Sequence, residues 1–207
     1  EEIFSNHIDI AYELGRSFKP FEFFGEYLKY GYYPFYFENK ENYLLKLQET
    51  INTVIEVDIP SIFSIDYDKI INLKKLIRLV CQSKPFKVNI KELSTKIGIS
   101  DYQTLYKYLE YLQRGKILHL LRAKTKGDSI FVKPDKIYLA NTNLHYSYCD
   151  QAEIGTIREV FFMSMMDEKS LTVAPKGDFL IDDTYLVEVG GKTKGYNQIK
   201  DMPKSYI

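Results

Sequence analysis

The chain is predicted to be an α+β protein, with a helical N-terminal segment, a winged helix-turn-helix and a small α/β unit at the C-terminal end. Three observations predict it. Apolar residues recur at helical spacing through the first third, the middle third carries two helix-start signals followed by two β-rich runs, and the last third closes on the stretch KGDFLIDDTYLVEVGGK. A chain of 207 residues with 45% hydrophobic side chains can bury one sizeable core or two small ones, which argues against disorder. No run of 18 apolar residues is present, so no membrane contact is expected.

Residues 1–71 read as the helical segment. Tyr43, Leu44, Leu47, Ile51, Val54 and Ile55 form a helical stripe, and the loop GYYPF, Gly31 to Phe35, breaks the pattern because Pro34 cannot continue a helix. Phe21, Phe24, Tyr33 and Phe35 belong to a set of aromatics too large for one small buried face. The chain opens at Glu1-Glu2 without a methionine, which suggests a piece of a longer protein.

Residues 72–140 give the order helix, helix, turn, helix, hairpin. Leu73, Leu76, Ile77 and Val80 face one way on the first helix. Asn89 with Glu92 makes a capping box for the second, whose buried stripe is Ile90, Leu93 and Ile97. Gly98 allows a tight turn, Ser100 with Gln103 is read as the cap of the third helix, and Gly115 stops that helix before the runs KILHLLRA and SIFVKPDKIYLAN.

Residues 141–207 begin with a connector and a helix from about Ala152 to Met166, then enter the hairpin; one more helix and a strand are expected at the end. Facing residues on antiparallel strands have numbers with a constant sum, so a three-residue turn at Asp182-Asp183-Thr184 places Asp178 opposite Glu188. Two such carboxylates can share a Mg²⁺ ion, with Glu159 on the preceding helix as a third oxygen donor. The alternative is a hairpin with a solvated edge.

The net charge of zero conceals three blocks. Residues 1–71 carry 6 Lys+Arg against 13 Asp+Glu, residues 72–133 carry 14 against 4, and residues 134–207 carry 8 against 11. A basic block between two acidic ones suits either a polyanion or internal docking on the first block. On the winged-helix reading the third helix enters the DNA major groove, where Gln103 and Thr104 read base edges, while Lys107 on that helix and Lys124 and Lys126 on the wing hold phosphates.

Other chemistries lack their motifs. Gly191-Lys192-Thr193 is no P-loop, since the required earlier glycine position is Leu186. His7, His119, His145, Cys81 and Cys149 show neither metal-ligand nor catalytic spacing, and the two widely separated cysteines suggest a reducing cytoplasm.

The blocks EYLKYGYYPF, LQETINTVIEVDIPSI, LVCQSKPFKVNIKELSTKIGIS, KPDKIYLANTNL, IGTIREVFF and GDFLI with VEVGGK resemble, in that order, the C-terminal half of a group of prokaryotic P-loop ATPases of the AAA superfamily. The resemblance implies an ATPase core that precedes Glu1 and binds ATP there, then a winged helix, then a restriction-endonuclease-like α/β domain over residues 141–207. It assigns nuclease-site roles to Glu159, Asp178 and Glu188, but the lysine expected two residues after Glu188 is Gly190, and Lys192 stands further along. That lysine orients the attacking water in such sites, so its displacement implies metal binding at Asp178 and Glu188 without turnover. The expected function is DNA binding with a degenerate nuclease-like domain. The alternatives are an active Mg²⁺-dependent DNA nuclease and a protein-interaction or oligomerisation module that regulates the ATPase; candidate partners are DNA, the ATPase core and further copies of the chain.

Overall fold

A computed structural model of the chain describes residues 2–82, 88–123, 133–151, 153–166, 171–191 and 193–207. The protein is α+β. Helices α1 (Glu2–Ser17) and α2 (Pro20–Tyr30) lead through a 3₁₀ turn at Pro34–Phe37 into α3 (Tyr43–Thr53) and α4 (Ile59–Phe63). A π-helical turn, Val54–Asp58, joins α3 to α4 just before Pro60, which has no N–H to donate to a regular helical ladder.

Helix α5 (Tyr67–Gln82) follows and runs through residues 71 and 72, where the sequence reading divides its first two segments. Helix α6 (Ile90–Ile97) starts as predicted at Asn89, whose Oδ1 accepts the Glu92 N–H at 3.3 Å, and ends on Gly98 at φ 78°. Helix α7 (Tyr102–Arg114) is capped by Asp101 rather than Ser100. The Asp101 carboxylate accepts the N–H groups of Gln103 at 3.0 Å and Thr104 at 3.1 Å, and its charge suits the positive end of the helix better than a hydroxyl does.

Strands β1 (Leu118–Leu121) and β2 (Lys136–Leu139) pair antiparallel, with Leu118 facing Leu139 and Leu121 facing Lys136. This ribbon separates two cores. Leu118, Leu120, Ile137 and Leu139 point into a large core built with α3 to α7 and the helix α8 (Thr142–Tyr148), whereas Leu121 and Tyr138 point into a second core with α9 (Ile154–Ser164) and the C-terminal sheet. Strand alternation alone sends Lys136 and Tyr138 to that second side.

The C-terminal sheet has the order β3 (Leu171–Val173), β4 (Phe179–Ile181), β5 (Tyr185–Val187), β6 (Ser205–Tyr206), antiparallel except for the parallel last pair. The strand expected at the chain's end is β6. The expected last helix is a single 3₁₀ turn, Tyr196–Gln198, and β3 is an addition to the sequence reading.

The stretch read as a connector forms α8 (Thr142–Tyr148), which fastens the N-terminal helices to the core. Asn143 is fully buried. Its Oδ1 accepts the Tyr32 N–H at 2.9 Å and the Tyr43 hydroxyl, and its Nδ2 donates to the Leu28 carbonyl at 2.8 Å. The neighbouring Thr142 hydroxyl donates to the same carbonyl at 2.6 Å. Asn143→Ala therefore strands several buried groups at once and is expected to lower stability by about 2 kcal/mol. Chemical denaturation checks this; a variant as stable as the parent would show that water replaces the amide.

The cysteines, read from sequence as unpaired, are bonded to each other. The fold brings the last turn of α5 against the end of α8, with Cys81 and Cys149 joined at a Cα separation of 5.2 Å. The inference of a reducing cytoplasm rested on unpaired cysteines and loses that support. Among the described residues no helix is long and apolar enough to cross a membrane.

Candidate carboxylate and lysine site

The hairpin that carries Asp178 and Glu188 forms with the three-residue turn predicted for it. Asp182 and Asp183 adopt left-handed φ values of 47° and 54°, which aspartate tolerates better than most side chains, and the Thr184 N–H closes the turn on the Ile181 carbonyl at 2.9 Å. Phe179 faces Val187 and Ile181 faces Tyr185, so the register brings Asp178 and Glu188 to the same end of the strand pair. The Asp178 N–H donates to the Val187 carbonyl at 3.0 Å, and the Val189 N–H returns to Asp178 Oδ2 at 3.0 Å.

Glu159 joins them from α9, and each carboxylate is met by a donor. Lys136 Nζ lies 3.2 Å from Asp178 Oδ1 and 3.7 Å from Glu159 Oε2, with all three side chains largely buried. The Tyr138 hydroxyl donates to Glu159 Oε2 at 2.6 Å. Glu188 is 1% exposed and is ion-paired with Lys194. Oriented with its NH₂ toward that carboxylate, the Gln198 amide donates to Oε1 at 2.6 Å and Oε2 at 2.9 Å.

Local backbone makes room for these pairs. Gly177 sits at φ 79° with Glu188 against it, where an added Cβ would lie 3.3 Å from Oε2. A Cβ on Gly190 would lie 2.3 Å from the Lys194 stem, so the glycine that replaces the expected lysine is what lets Lys194 fold back over the site.

Electrostatics follow from the burial. Burial raises the Glu159 pKa above the usual carboxylate range, with Asp178 and Glu188 adding to the rise and Tyr138 and Lys136 opposing it. Burial also drives the Tyr138 hydroxyl far up, so it remains a donor, and the Glu188 hydrogen bond raises Lys194. The cluster is thus three acids held by two ammonium groups, a phenol and an amide.

A Mg²⁺ ion needs carboxylate oxygens free to coordinate it. Both oxygens of Asp178, both of Glu188 and one of Glu159 are already taken. Among the described residues no group of three or more His, Cys, Asp or Glu is arranged to hold a metal ion. The residues as placed do not fit the ion.

Of the residues assigned from sequence, Glu159, Asp178 and Glu188 come together, while Lys192 lies outside the described residues. Lys136, Tyr138, Lys194 and Gln198 were not anticipated. The alternation of KIYL carried a signal for the first two, since it sets Lys136 and Tyr138 on the face opposite Ile137 and Leu139.

The candidate DNA-reading residues form a separate surface. Gln103 and Lys107 are exposed one turn apart on α7, while the Thr104 hydroxyl donates to Asp101 at 2.7 Å and so serves the helix cap. Lys124 and Lys126 lie outside the described residues.

Residues 22–151 match the family model of a domain of unknown function, DUF8612. That span includes Lys136 and Tyr138 and leaves Glu159, Asp178 and Glu188 beyond its end. No curated protein and no solved structure matches the chain significantly. The matched span exceeds half of the chain, and the protein belongs to the DUF8612 family.

Proposed function

We propose that the chain is a DNA-binding module whose nuclease-like acidic site is neutralised by lysines, and that it forms the C-terminal half of a AAA-superfamily P-loop ATPase. The observation that carries the reading is Lys136, a side chain from β2 paired with both Asp178 and Glu159. In a working nuclease those carboxylates hold a metal ion and leave room for water and phosphate; here an ammonium group stands between them. The order of α5, α6, α7, β1 and β2 suits a winged helix, and α7 exposes Gln103 and Lys107. ATP would be bound by the ATPase core, which also offers a cover for Ile8, Tyr12 and Phe21, exposed by 71%, 71% and 87%.

Fluorescence anisotropy with random duplex tests the DNA reading. Binding should weaken steeply between about 50 and 200 mM salt, and Lys107→Ala with Lys124→Ala and Lys126→Ala should reduce both affinity and salt slope, by roughly 0.9 in slope per lost phosphate contact. No binding at low salt would sink the DNA reading in favour of a protein-interaction module. Plasmid nicking with Mn²⁺ that disappears in Asp178→Asn would establish the active nuclease instead.

A further inference from the structure

We propose that the Cys81–Cys149 disulfide is a thiol–disulfide exchange site that reacts with a small anionic thiol. The bond lies beside a cleft of about 1050 Å³ whose wall includes Cys81 and His145, the cations Lys74, Lys75 and Arg78, and the acids Asp150 and Glu153. Both cysteines are only partly buried, and Cys81 itself lines the cleft, so the bond is approached from the Cys81 side. Lys75, Arg78 and Cys81 are spaced by three along α5 and form one row that ends at the sulfur. Lys74 is paired with Glu56, and Asp150 and Glu153 follow Cys149 in the chain, so the cations Lys75 and Arg78 on the Cys81 helix favour the approach of an anion at Cys81 rather than at Cys149.

His145 supplies the second half of the site. It is 4% exposed, its Nδ1 lies 3.7 Å from Cys149 Sγ, and its buried Nε2 has no hydrogen-bond partner. With the proton on Nδ1 the ring donates toward Cys149 Sγ and leaves Nε2 as a bare lone pair. Such a donor stabilises Cys149 as the leaving thiolate, which speeds exchange.

The reaction balances without a further oxidant. A thiolate from the small molecule attacks Cys81 Sγ, the S–S bond breaks, and its electron pair goes to Cys149 Sγ beside His145. A second thiolate then attacks the small molecule's sulfur in the mixed disulfide and releases Cys81 as a thiolate. The product is the small molecule's own disulfide, and its two thiols have supplied the two electrons. Reduction uncouples the end of α5 from the end of α8.

Glutathione, which carries two carboxylates, and uncharged 2-mercaptoethanol are the probes. The oxidised full chain is mixed with each, quenched with acid, alkylated and mapped by peptide mass. The mixed disulfide should form on Cys81 and the alkyl group on Cys149. The double variant Lys75→Ala, Arg78→Ala should slow glutathione by roughly tenfold more than it slows 2-mercaptoethanol, and His145→Gln should slow both thiols alike. A mixed disulfide on Cys149, equal slowing of the two thiols by the double variant, unchanged rates in His145→Gln, or two alkylated cysteines before any thiol is added would each overturn the proposal.

Discussion

Lys136→Met is expected to destabilise the protein by about 3 kcal/mol and to create a response to divalent cations that the parent lacks. The Lys136 side chain is 16% exposed, and it faces Asp178 and Glu159 at 17% and 18%. Removal of one partner from a buried ion pair leaves the other charge without compensation, and such losses run to about 3–5 kcal/mol; the residual exposure here argues for the lower end. Methionine keeps most of the stem's packing against Phe179, whose ring lies 5.6 Å from the ammonium group, so the loss reports charge rather than volume. The vacated space lies between two carboxylates that Mg²⁺ or Mn²⁺ can bridge. An ion at about 100 times its dissociation constant returns about 2.7 kcal/mol, enough to raise the thermal midpoint by several degrees. Thermal melts of the parent, Lys136→Met and Lys136→Met with Asp178→Asn decide the matter. Equal cation responses in all three would show that Lys136 does not occupy the ion's place.

The same residue shows where sequence reading stopped. The cap at Asn89, the turn at Asp182-Asp183-Thr184 and the approach of Asp178 to Glu188 are legible because each depends on residues within one cap or one hairpin, at most ten positions apart. Lys136 on β2 and Asp178, just before β4, are separated by 42 positions, and Cys81 and Cys149 by 68. No local period encodes such pairings. Lys136 is on the last strand of the middle segment and its partners are in the next one, so only the packing of the two segments brings it among those acids. The cap of α8 is a local signal in the stretch read from sequence as a connector: Asn141 Oδ1 accepts the Leu144 N–H at 3.2 Å, an ordinary helix-start arrangement. At α7 the choice between Ser100 and Asp101 turned on a charge, and the carboxylate won because it accepts two backbone N–H groups.

Acid should expose a second buried group. Burial alone lowers His145 from its ordinary 6.5 to about 4, so the unfolded chain takes up a proton at this residue before the folded one does. Its contribution to stability is present above pH 6.5 and is lost as the pH falls toward 4. That interval corresponds to about 3 kcal/mol at about 1.4 kcal/mol per unit. Glu159 runs the other way. Its folded pKa is raised, so its contribution is present below the ordinary carboxylate value of 4.5 and is lost as the pH rises through the folded value. The parent's total curve mixes the two with every surface carboxylate, and the difference between the parent and His145→Gln isolates the imidazole. Glutamine cannot take up the proton and keeps a polar group near Cys149, so the variant should be less stable than the parent at pH 7 and close most of that gap by pH 4. Urea unfolding of both proteins across this range, with the disulfide intact, gives the two curves. Parallel curves would mean that His145 is protonated in the folded protein without penalty, and that solvent reaches the ring through the cleft beside α5.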